Sequence, residues 1–337
     1  MTVGICLVGA GRIGAIHADN IAAAANARLV HVVDADAAAA EQLAQRHGAS
    51  ATELRLALDD SSVAAVLIAS STDTHVELMD AASAAGKAIF CEKPLDLDLA
   101  RARQCLQTLE ARGTLLALGF NRRFDPDFAC LWQRVQDGEI GDVEMVSITS
   151  RDPGPPPLDY LRRSGGLFMD MMIHDFDMAR WLLGEDPKTL FASASCLVDP
   201  AIASVGDIDS ALVTLQTASG KLCQISNSRR AVYGYDQRIE VHGSHGMLRA
   251  ENRGASQVQC FRAGSVASDP PLDFFLERYA AAYRLELQAF VAALTGEPAR
   301  LVSGSDALKA QVLADAATRS HRKNAVISLD YQGPAAP

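Results

Sequence analysis

Two short stretches of the sequence carry the side chains best suited to catalysis. The first, Phe90-Cys91-Glu92-Lys93-Pro94, ends an apolar strand pattern with an acid, a base and a helix-breaking proline. In an open α/β sheet, ligands bind in the crevice beyond the carboxyl ends of the strands. Lys93 is therefore expected to project into such a crevice, where burial requires a carboxylate, a substrate oxygen or a lowered pKa. The alternative is a solvated Glu-Lys pair at a turn, and the pentapeptide alone does not decide between the two.

The second stretch, residues 165–177, sets Asp170 and His174 among apolar residues. If a helix begins near Asp170, the two side chains lie four residues apart on one face. A histidine backed by a carboxylate is a suitable general base, since its unperturbed pKa is about 6.5. The paired Gly165 and Gly166 would allow a sharp turn and the close approach of a ligand. The alternative is a local Asp-His pair with a structural role; with only two ligands on one face, no metal site is predicted.

The elements that must position these residues begin with a dinucleotide fingerprint. An apolar run from Val3 to Val8 leads into Gly9-Ala10-Gly11-Arg12-Ile13-Gly14, a helical pattern over about 13–25, and a second strand pattern over 29–33. In such a loop the first glycine permits the tight turn, the second lets the backbone approach a pyrophosphate, and the third lets helix and strand pack closely. The sequence therefore predicts a dinucleotide site.

Asp34 closes the second strand pattern, 20 residues after Gly14. A carboxylate at this place accepts hydrogen bonds from a free ribose hydroxyl and repels a 2′-phosphate. Because Ala35 and Asp36 follow and no arginine is at hand, NAD is predicted in preference to NADP.

Alternating strands and helices continue to about residue 119. An apolar run over 63–69 ends in small hydroxyl residues, and Ser70 and Thr72 are expected to line the cofactor crevice. His75 is ambiguous between a helix-start histidine bonded to backbone and a functional one. A helix over about 98–112 and a strand over 115–118 follow. The predicted cofactor contacts are Gly9, Gly11, Arg12, Ile13, Gly14, Asp34, Ser70, Thr72, His75, Glu92 and Lys93.

The second half of the chain has a different pattern. A helix over about 125–137 precedes a strand over 143–151, and later segments alternate in the manner of an antiparallel sheet with turns at Ser219-Gly220 and at 243–246. Near the end of the chain, five apolar or aromatic residues have helical spacing and are expected to be core, namely Tyr279, Tyr283, Leu287, Phe290 and Leu294. The predicted fold class is α/β plus α+β. An N-terminal Rossmann dinucleotide-binding domain, residues 1–120, precedes a C-terminal domain, residues 121–337, with a large open, mostly antiparallel sheet.

Composition excludes several classes of protein. The chain has 31 basic and 41 acidic side chains, a net charge of −10, which argues against a nucleic-acid partner. Seven cysteines without a Cys-x-x-Cys pair predict reduced thiols and no zinc site or disulfide framework. A strand pattern that starts at Val3 leaves no room for a signal peptide, and no apolar run approaches the roughly 20 residues of a membrane span. We therefore expect a cytoplasmic protein.

Taken in order, these motifs resemble those of the Gfo/Idh/MocA family of NAD(P)-dependent sugar and polyol oxidoreductases. The resemblance rests on the fingerprint from Gly9 to Gly14, on Glu92-Lys93-Pro94, and on Gly165-Gly166 followed by Asp170 and His174. Within the family the chain is most similar to the inositol 2-dehydrogenases. That similarity rests on residues 119–125, 150–153, 233–236 and 274–279.

The resemblance implies a role for each residue of the site. Lys93 would hold and polarise the reacting hydroxyl, His174 would take its proton as hydride passes to NAD, and Asp170 would hold the arrangement. Contacts to the other ring hydroxyls of the polyol are implied for Arg122, Asp152, Tyr233 and Tyr235. It also implies a homo-oligomer, a tetramer or a dimer, formed through the outer face of the second domain's sheet.

Three other functions remain open on the sequence. The same chemistry on scyllo- or chiro-inositol, glucose or another polyol or aldose requires no change of motif. A nucleotide-sensing regulator would lack the lysine, aspartate or histidine, whereas Lys93, Asp170 and His174 are all present. A glycosidase that retains NAD as a bound redox catalyst would release no net NADH.

Overall fold

The computed structural model describes residues 2–332 and groups them into two compact units. The first unit comprises residues 2–124 and 282–309, and the second comprises 125–281 and 310–332. That residues 1–120 bind the cofactor and residues 121–337 bind the substrate stays a prediction.

The first unit is built on a parallel sheet. Its first stretch contains β1 (Val3–Val8), α1 (Arg12–Ala23), β2 (Ala27–Val33), α2 (Ala37–Arg46), β3 (Ser50–Ala51), α3 (Leu54–Asp59), β4 (Ala65–Ile68), α4 (His75–Ala84), β5 (Ala88–Glu92), α5 (Leu99–Ala111) and β6 (Leu116–Gly119). Short 3₁₀ turns cover Thr72–Thr74 and Asn121–Phe124. The strand order β3-β2-β1-β4-β5-β6, with all neighbours parallel, is that of a Rossmann fold, in which ligands bind where the order reverses between β1 and β4.

The second unit is built on a mixed sheet. It contains α6 (Pro126–Gln136), β7 (Val143–Arg151), α7 (Leu158–Leu161), α8 (Gly166–Asp170), α9 (Ile173–Leu183), β8 (Pro187–Ser195), α10 (Pro200–Ser204), β9 (Ser210–Thr217), β10 (Leu222–Ser228), β11 (Asp236–Gly243), β12 (Gly246–Ala250), β13 (Gln259–Arg262), β14 (Ser265–Ser268) and α11 (Phe275–Arg278). The last elements of the chain are α12 (Ala280–Leu294), α13 (Gly304–Lys323) and β15 (Ile327–Ser328).

The large sheet has the order β12-β11-β7-β10-β9-β8-β15. Every neighbouring pair is antiparallel except β7 and β10, which run parallel. Burial alternates along β9 and β10, so one face of each strand is covered and the other is open. Together with the parallel sheet, this arrangement confirms the predicted fold class.

The apolar core of the first unit explains why its strands are nearly continuous hydrophobic runs. Both faces of a parallel sheet are covered by helices, and all six residues of β1 are buried. The core also takes in Leu287, Phe290 and Val291 of α12, which confirms that the helical stripe is core. No described helix is long and apolar enough to cross a membrane.

Candidate functional site

The glycine loop after β1 has the geometry that the fingerprint predicts. Gly9 has φ +107°, and a Cβ there would lie 2.6 Å from backbone atoms of Ala69. A Cβ at Gly14 would lie 1.9 Å from the carbonyl oxygen of Gly9. A Cβ at Gly11, by contrast, would meet no protein atom within 4 Å. Gly9 and Gly14 are therefore required by the chain's own packing, whereas Gly11 leaves its surroundings open to a ligand.

Asp34 is held at the end of β2 by two backbone groups. The N–H of Ala10 in the glycine loop donates to its Oδ2 at 2.6 Å, and the N–H of Asp36 donates to its Oδ1 at 2.8 Å. These two bonds fix the carboxylate next to the glycine loop, and each carboxylate oxygen keeps a further lone pair for a ribose hydroxyl.

A cleft of about 670 Å³ opens beside this carboxylate. It is lined by residues that follow β1, β2, β3 and β4, among them Gly9, Asp34 and Ser70 of the predicted contacts. Asp34, Glu41 and Glu53 make its wall acidic, and none of the described lining residues is basic. Such a wall favours free ribose hydroxyls over a 2′-phosphate.

The other predicted cofactor residues lie around this loop. Arg12 is exposed at the start of α1 and Ile13 is half-buried beside it, while Thr72 lies in the 3₁₀ turn after β4. The hydroxyl groups of Ser70 and Thr74 are 2.7 Å apart. Ser70 and Thr74 belong to the lining of the cleft, whereas Arg12, Ile13 and Thr72 do not.

His75 has the backbone contacts of a structural histidine. Its Nδ1 lies 2.8 Å from the carbonyl oxygen of Pro94, and its Nε2 lies 3.2 Å from that of Ser70. Burial lowers the pKa of His75, so the ring is neutral and donates one N–H. The contact with Pro94 ties the start of α4 to the turn that follows Lys93.

The Glu92-Lys93-Pro94 motif lies at the carboxyl end of β5, as predicted. Lys93 is half-buried, and the peptide bond between Lys93 and Pro94 is cis. Glu92 is buried, and its Oε1 lies 2.7 Å from Nε2 of His17. Glu92 is thus engaged by a side chain of α1, a contact that the sequence did not indicate.

The segment around Asp170 forms two helices, and neither begins near Asp170. Asp170 is the last residue of α8, and α9 begins at Ile173. The N–H of Met172 donates to the carbonyl of Leu167 at 3.0 Å, a bond across five residues that interrupts the four-residue ladder. The condition under which Asp170 and His174 would share one regular helical face, a helix that begins near Asp170, is therefore not met.

Asp170 and His174 nevertheless share one property. In the range 167–180, all of which the structure describes, these two are the residues that are not fully buried. Each of them thus presents a polar side chain from an otherwise buried stretch.

A buried arginine and a tyrosine hold Asp170. The Tyr160 hydroxyl donates to Oδ1 of Asp170 at 2.7 Å, and Arg229 brings Nη1 to 3.5 Å from Oδ2. Desolvation and the Asp170 carboxylate raise the pKa of Tyr160, so its hydroxyl keeps its proton. Nη2 of Arg229 lies 3.5 Å from Oδ2 of Asp207, so this arginine joins two carboxylates. Sequence reasoning missed Arg229, although it follows a strand pattern directly.

The glycine pair before α8 serves the chain's own packing. Gly165 and Gly166 both have φ +82°. A Cβ at Gly166 would lie 2.8 Å from Oδ1 of Asp207, the same oxygen that accepts the Leu167 N–H at 3.0 Å. The group that approaches Gly166 closely is the Asp207 side chain, whereas the sequence suggested a ligand.

A buried carboxylate, Asp175, follows His174 and was also missed. Its Oδ1 accepts the Ser150 hydroxyl of β7 at 2.6 Å, and its Oδ2 accepts the Asn227 amide of β10 at 2.9 Å. These bonds fasten the first turn of α9 to two strands of the sheet. Ser150 and Asn227 are polar residues on the apolar face of their strands, but this pattern does not identify Asp175 as their partner.

The remaining predicted substrate residues have distinct surroundings. Asp152 directly follows β7 and is half-buried, and Arg122 is buried in the 3₁₀ turn after β6. The Tyr233 hydroxyl donates to Asp236 at 2.7 Å and accepts from Arg151 at 3.2 Å. Tyr235 is buried, with its ring edge-to-face against Phe274 and Tyr279. The ring of Tyr235 therefore packs in an aromatic cluster.

The first unit fits a bound dinucleotide. No side chain caps the N-terminus of α1, so its backbone N–H groups can receive a pyrophosphate, and Gly11 leaves room for it. Asp34 can receive a ribose, while Ser70 offers a further hydroxyl on the cleft wall.

The chain matches known proteins along almost its whole length. Residues 3–120 match an oxidoreductase family with an NAD-binding Rossmann fold, and residues 128–249 match the GFO/IDH/MocA C-terminal domain. An inositol 2-dehydrogenase of Rhizobium meliloti (strain 1021) is 51% identical over 98% of this chain and 100% of its own.

Two solved structures are similar over nearly their full length. A myo-inositol dehydrogenase from Corynebacterium glutamicum ATCC 13032 superposes with a TM-score of 0.93 at 40% identity, covering 98% of this chain and 99% of that one. A scyllo-inositol dehydrogenase from Lactobacillus casei, with bound NAD(H) and scyllo-inositol, gives a TM-score of 0.90 at 29% identity, covering 97% and 99%.

These matches confirm the predicted cofactor, NAD, and the predicted class of enzyme, an oxidoreductase. Both halves of the chain match the family's two domains, so the chain belongs to the Gfo/Idh/MocA family of oxidoreductases.

Proposed function

We propose that this chain is an NAD-dependent inositol dehydrogenase that oxidises the ring hydroxyl at position 2 of myo-inositol to a ketone. The observation that carries the proposal is the isolation of Asp170 and His174 as the accessible residues of an otherwise buried stretch. A proton acceptor and a carboxylate presented in this way suit the oxidation of an alcohol. The substrate class is supported by the relative named inositol 2-dehydrogenase, which aligns over its whole length.

Each catalytic residue has one task in this proposal. NAD, when bound, supplies the acceptor for the hydride from the alcohol carbon. His174 accepts the hydroxyl proton, and Lys93 donates to the same oxygen and stabilises the negative charge that develops on it. Asp170, held by Tyr160 and Arg229, orients these groups or a neighbouring hydroxyl. The hydride would carry both electrons of the C–H bond to NAD, the proton would pass to His174, and the electron pair of the O–H bond would become the second bond of the carbonyl.

The selection of the ring is assigned to four further residues. Arg122, Asp152, Tyr233 and Tyr235 are proposed to contact the other hydroxyls. Tyr233 supports this assignment, because its hydroxyl is oriented by Asp236 and Arg151 and the residue is exposed. Tyr235 is buried, so it can contact the substrate only where its hydroxyl group reaches the edge of its aromatic cluster.

A second candidate substrate is scyllo-inositol. The observation in its favour is the similar Lactobacillus casei structure, which holds that compound together with NAD(H). The two isomers differ in the orientation of one hydroxyl, so the same residue types can serve both.

The test is the appearance of NADH absorbance with purified protein, NAD and a panel of polyols. The panel holds myo-inositol, scyllo-inositol, D-chiro-inositol, glucose and xylose. We expect saturable turnover on an inositol and little on the aldoses. A preference for an aldose would replace the proposed substrate, and bound NAD without net NADH release on any compound would favour a glycosidase or a sensor.

Assembly and location complete the proposal. We place the protein in the cytoplasm, on the basis of its free cysteines, and we propose a homotetramer formed through the open face of the large sheet. That face carries exposed apolar side chains on four strands, namely Met145, Leu212, Leu222 and Met247.

A further inference from the structure

Three buried ionisable side chains meet inside the first unit. They are His17 of α1, Glu92 of β5 and Glu286 of α12, with exposures of 0%, 8% and 1%. One polar atom from each lies within 4.8 Å of the others. Two acidic groups so close together in an apolar core are costly unless one of them keeps its proton.

The His17–Glu92 pair is rigidly enclosed. Its 2.7 Å contact has the length of a hydrogen bond. The His17 ring packs edge-to-face against Phe90 and Tyr283, with centroids 5.3 and 5.8 Å away. On the other side, a Cβ at Gly119 would lie 2.7 Å from Oε2 of Glu92. The Glu92 carboxylate therefore has little freedom to rotate.

Glu286 completes the group without a partner of its own. Neither of its carboxyl oxygens has a hydrogen-bond partner among the described residues. Burial, followed by the charge of Glu92, raises the pKa of Glu286. Cys91 on the same strand and His75 on α4 also interact with Glu92; burial raises the pKa of Cys91 and lowers that of His75. Lys93 follows Glu92 in the chain, and Tyr283 packs on the His17 ring. Cys91 and His75 are neutral and do not offset the charge of Glu92, and the carboxyl group whose pKa burial raises is that of Glu286. We therefore assign the retained proton to Glu286.

We propose that Glu286 is a positioning residue: its buried proton, together with His17, fixes the Glu92 carboxylate and through it the strand end that carries Lys93. A protonated carboxyl can donate toward Glu92, directly or through one water, whereas an ionised carboxyl would repel it. This inference rests on the proposed function, in which Lys93 acts on the reacting hydroxyl. It adds a requirement for one proton in the core of the first unit.

The first test compares Glu286→Gln with Glu286→Ala. Glutamine keeps the shape and a neutral donor, so kcat should stay within about threefold of the parent, while alanine should lower it about tenfold or more through the loosened strand end. In the parent, kcat should decline at high pH as Glu286 ionises, and Glu286→Gln should lack that decline. Identical pH profiles of parent and Glu286→Gln would overturn the positioning role.

The second test measures Tm against pH and needs no substrate. The folded-state pKa of Glu286 is raised, so its stabilising contribution is full below the unfolded pKa of about 4.3 and is lost as pH rises toward the folded value. Tm of Glu286→Gln should therefore exceed that of the parent increasingly with rising pH, and the two should converge in acid. A difference that does not change with pH would overturn the buried proton.

The two tests also separate the inference from the proposed function. Absence of turnover on every polyol would overturn the proposed function and the positioning role together, whereas normal turnover with identical pH profiles would overturn only the latter. One zinc or manganese ion per purified chain, lost in Glu286→Gln, would also overturn the inference, because His17, Glu92 and Glu286 would then be metal ligands.

Discussion

Lys93 and His174 are the residues whose removal should separate chemistry from cofactor binding. Lys93 is half-buried at the end of β5 and His174 is half-buried in α9, and neither lines the cleft that holds Asp34. Lys93→Ala and His174→Ala should each lower kcat by about 10²–10⁴-fold, the usual worth of a positioned acid or base. The dissociation constant of NAD, measured by tryptophan fluorescence or calorimetry, should change little.

His245→Ala is the matched control for this pair. His245 is exposed in the turn between β11 and β12, so its loss should leave kcat unaltered. Near-normal turnover of Lys93→Ala or His174→Ala would remove that residue from the mechanism.

Asp34 should determine the preference for NAD over NADP through its charge. Asp34→Asn keeps an oxygen that can accept the Ala10 N–H but removes the charge that repels a 2′-phosphate. We expect the ratio of kcat/KM for NAD to that for NADP to fall about tenfold or more, corresponding to about 1.4 kcal/mol. Asp34→Ala should lower the ratio similarly and should also lower Tm, since two backbone N–H groups lose their acceptor.

An unchanged ratio in Asp34→Asn would mean that Glu41 or Glu53, which share the cleft wall, excludes the phosphate. In that case the double variant Glu41→Gln, Glu53→Gln should carry the change in preference.

At the residue scale, the sequence was most informative where a motif has a local cause. Gly9, Gly14 and Asp34 could be predicted because loop, helix and strand lie within one short stretch of chain. Arg229, Asp175 and Glu286 could not be predicted, because the side chains around them come from distant parts of the sequence. Asp175, for example, binds Ser150 and Asn227 from two different strands, and such long-range pairs leave no periodic signal.

At the scale of elements, Gly11 and Gly14 form a matched pair of positions at the start of α1, before and within its first turn. A Cβ at Gly14 would meet the Gly9 carbonyl at 1.9 Å, whereas one at Gly11 would meet no protein atom within 4 Å. Gly14→Ala should displace α1 from β1 and lower stability by about 1–3 kcal/mol, as overpacking does. Gly11→Ala should leave Tm nearly unchanged and weaken NAD binding, because its methyl group faces the place assigned to the pyrophosphate.

The measurements are thermal unfolding without cofactor and NAD titration of each variant. Equal losses of Tm in the two variants would contradict the assignment of Gly11 to the cofactor and of Gly14 to packing.

The break between α8 and α9 shows what hydrophobic periodicity cannot supply. The apolar residues around Asp170 fit a helix throughout, yet the Met172 N–H bonds to Leu167 across five residues. Periodicity reports which residues are buried, and nearly all of residues 167–180 are. It does not report where the backbone ladder changes, because both arrangements bury the same side chains.

At the scale of the whole molecule, the chain order conceals how the compact units are composed. Residues 282–309 belong with residues 2–124, and α12 contributes Phe290 to the core around β1. The stripe on α12 predicted burial correctly, but a helical period carries no information about which unit the helix joins. The assignment of Glu286 to the cofactor-binding unit therefore required the structure.

The open face of the large sheet should be the surface through which copies of this chain associate. Leu222 pairs directly with Met145 across β10 and β7, and both are nearly half exposed. Contiguous apolar side chains on an exposed sheet face are typical of an interface between subunits. Leu222→Glu, combined with Leu212→Glu, would bury two carboxylates in that interface at a cost of several kcal/mol each, enough to dissociate it.

Size-exclusion chromatography with light scattering should find the parent as a tetramer and the variant as a smaller species with its far-ultraviolet circular dichroism unchanged. Leu56→Glu, at an exposed position on α3 of the first unit, should remain a tetramer. A double variant that keeps the parent's mass would place the contact between subunits on another surface.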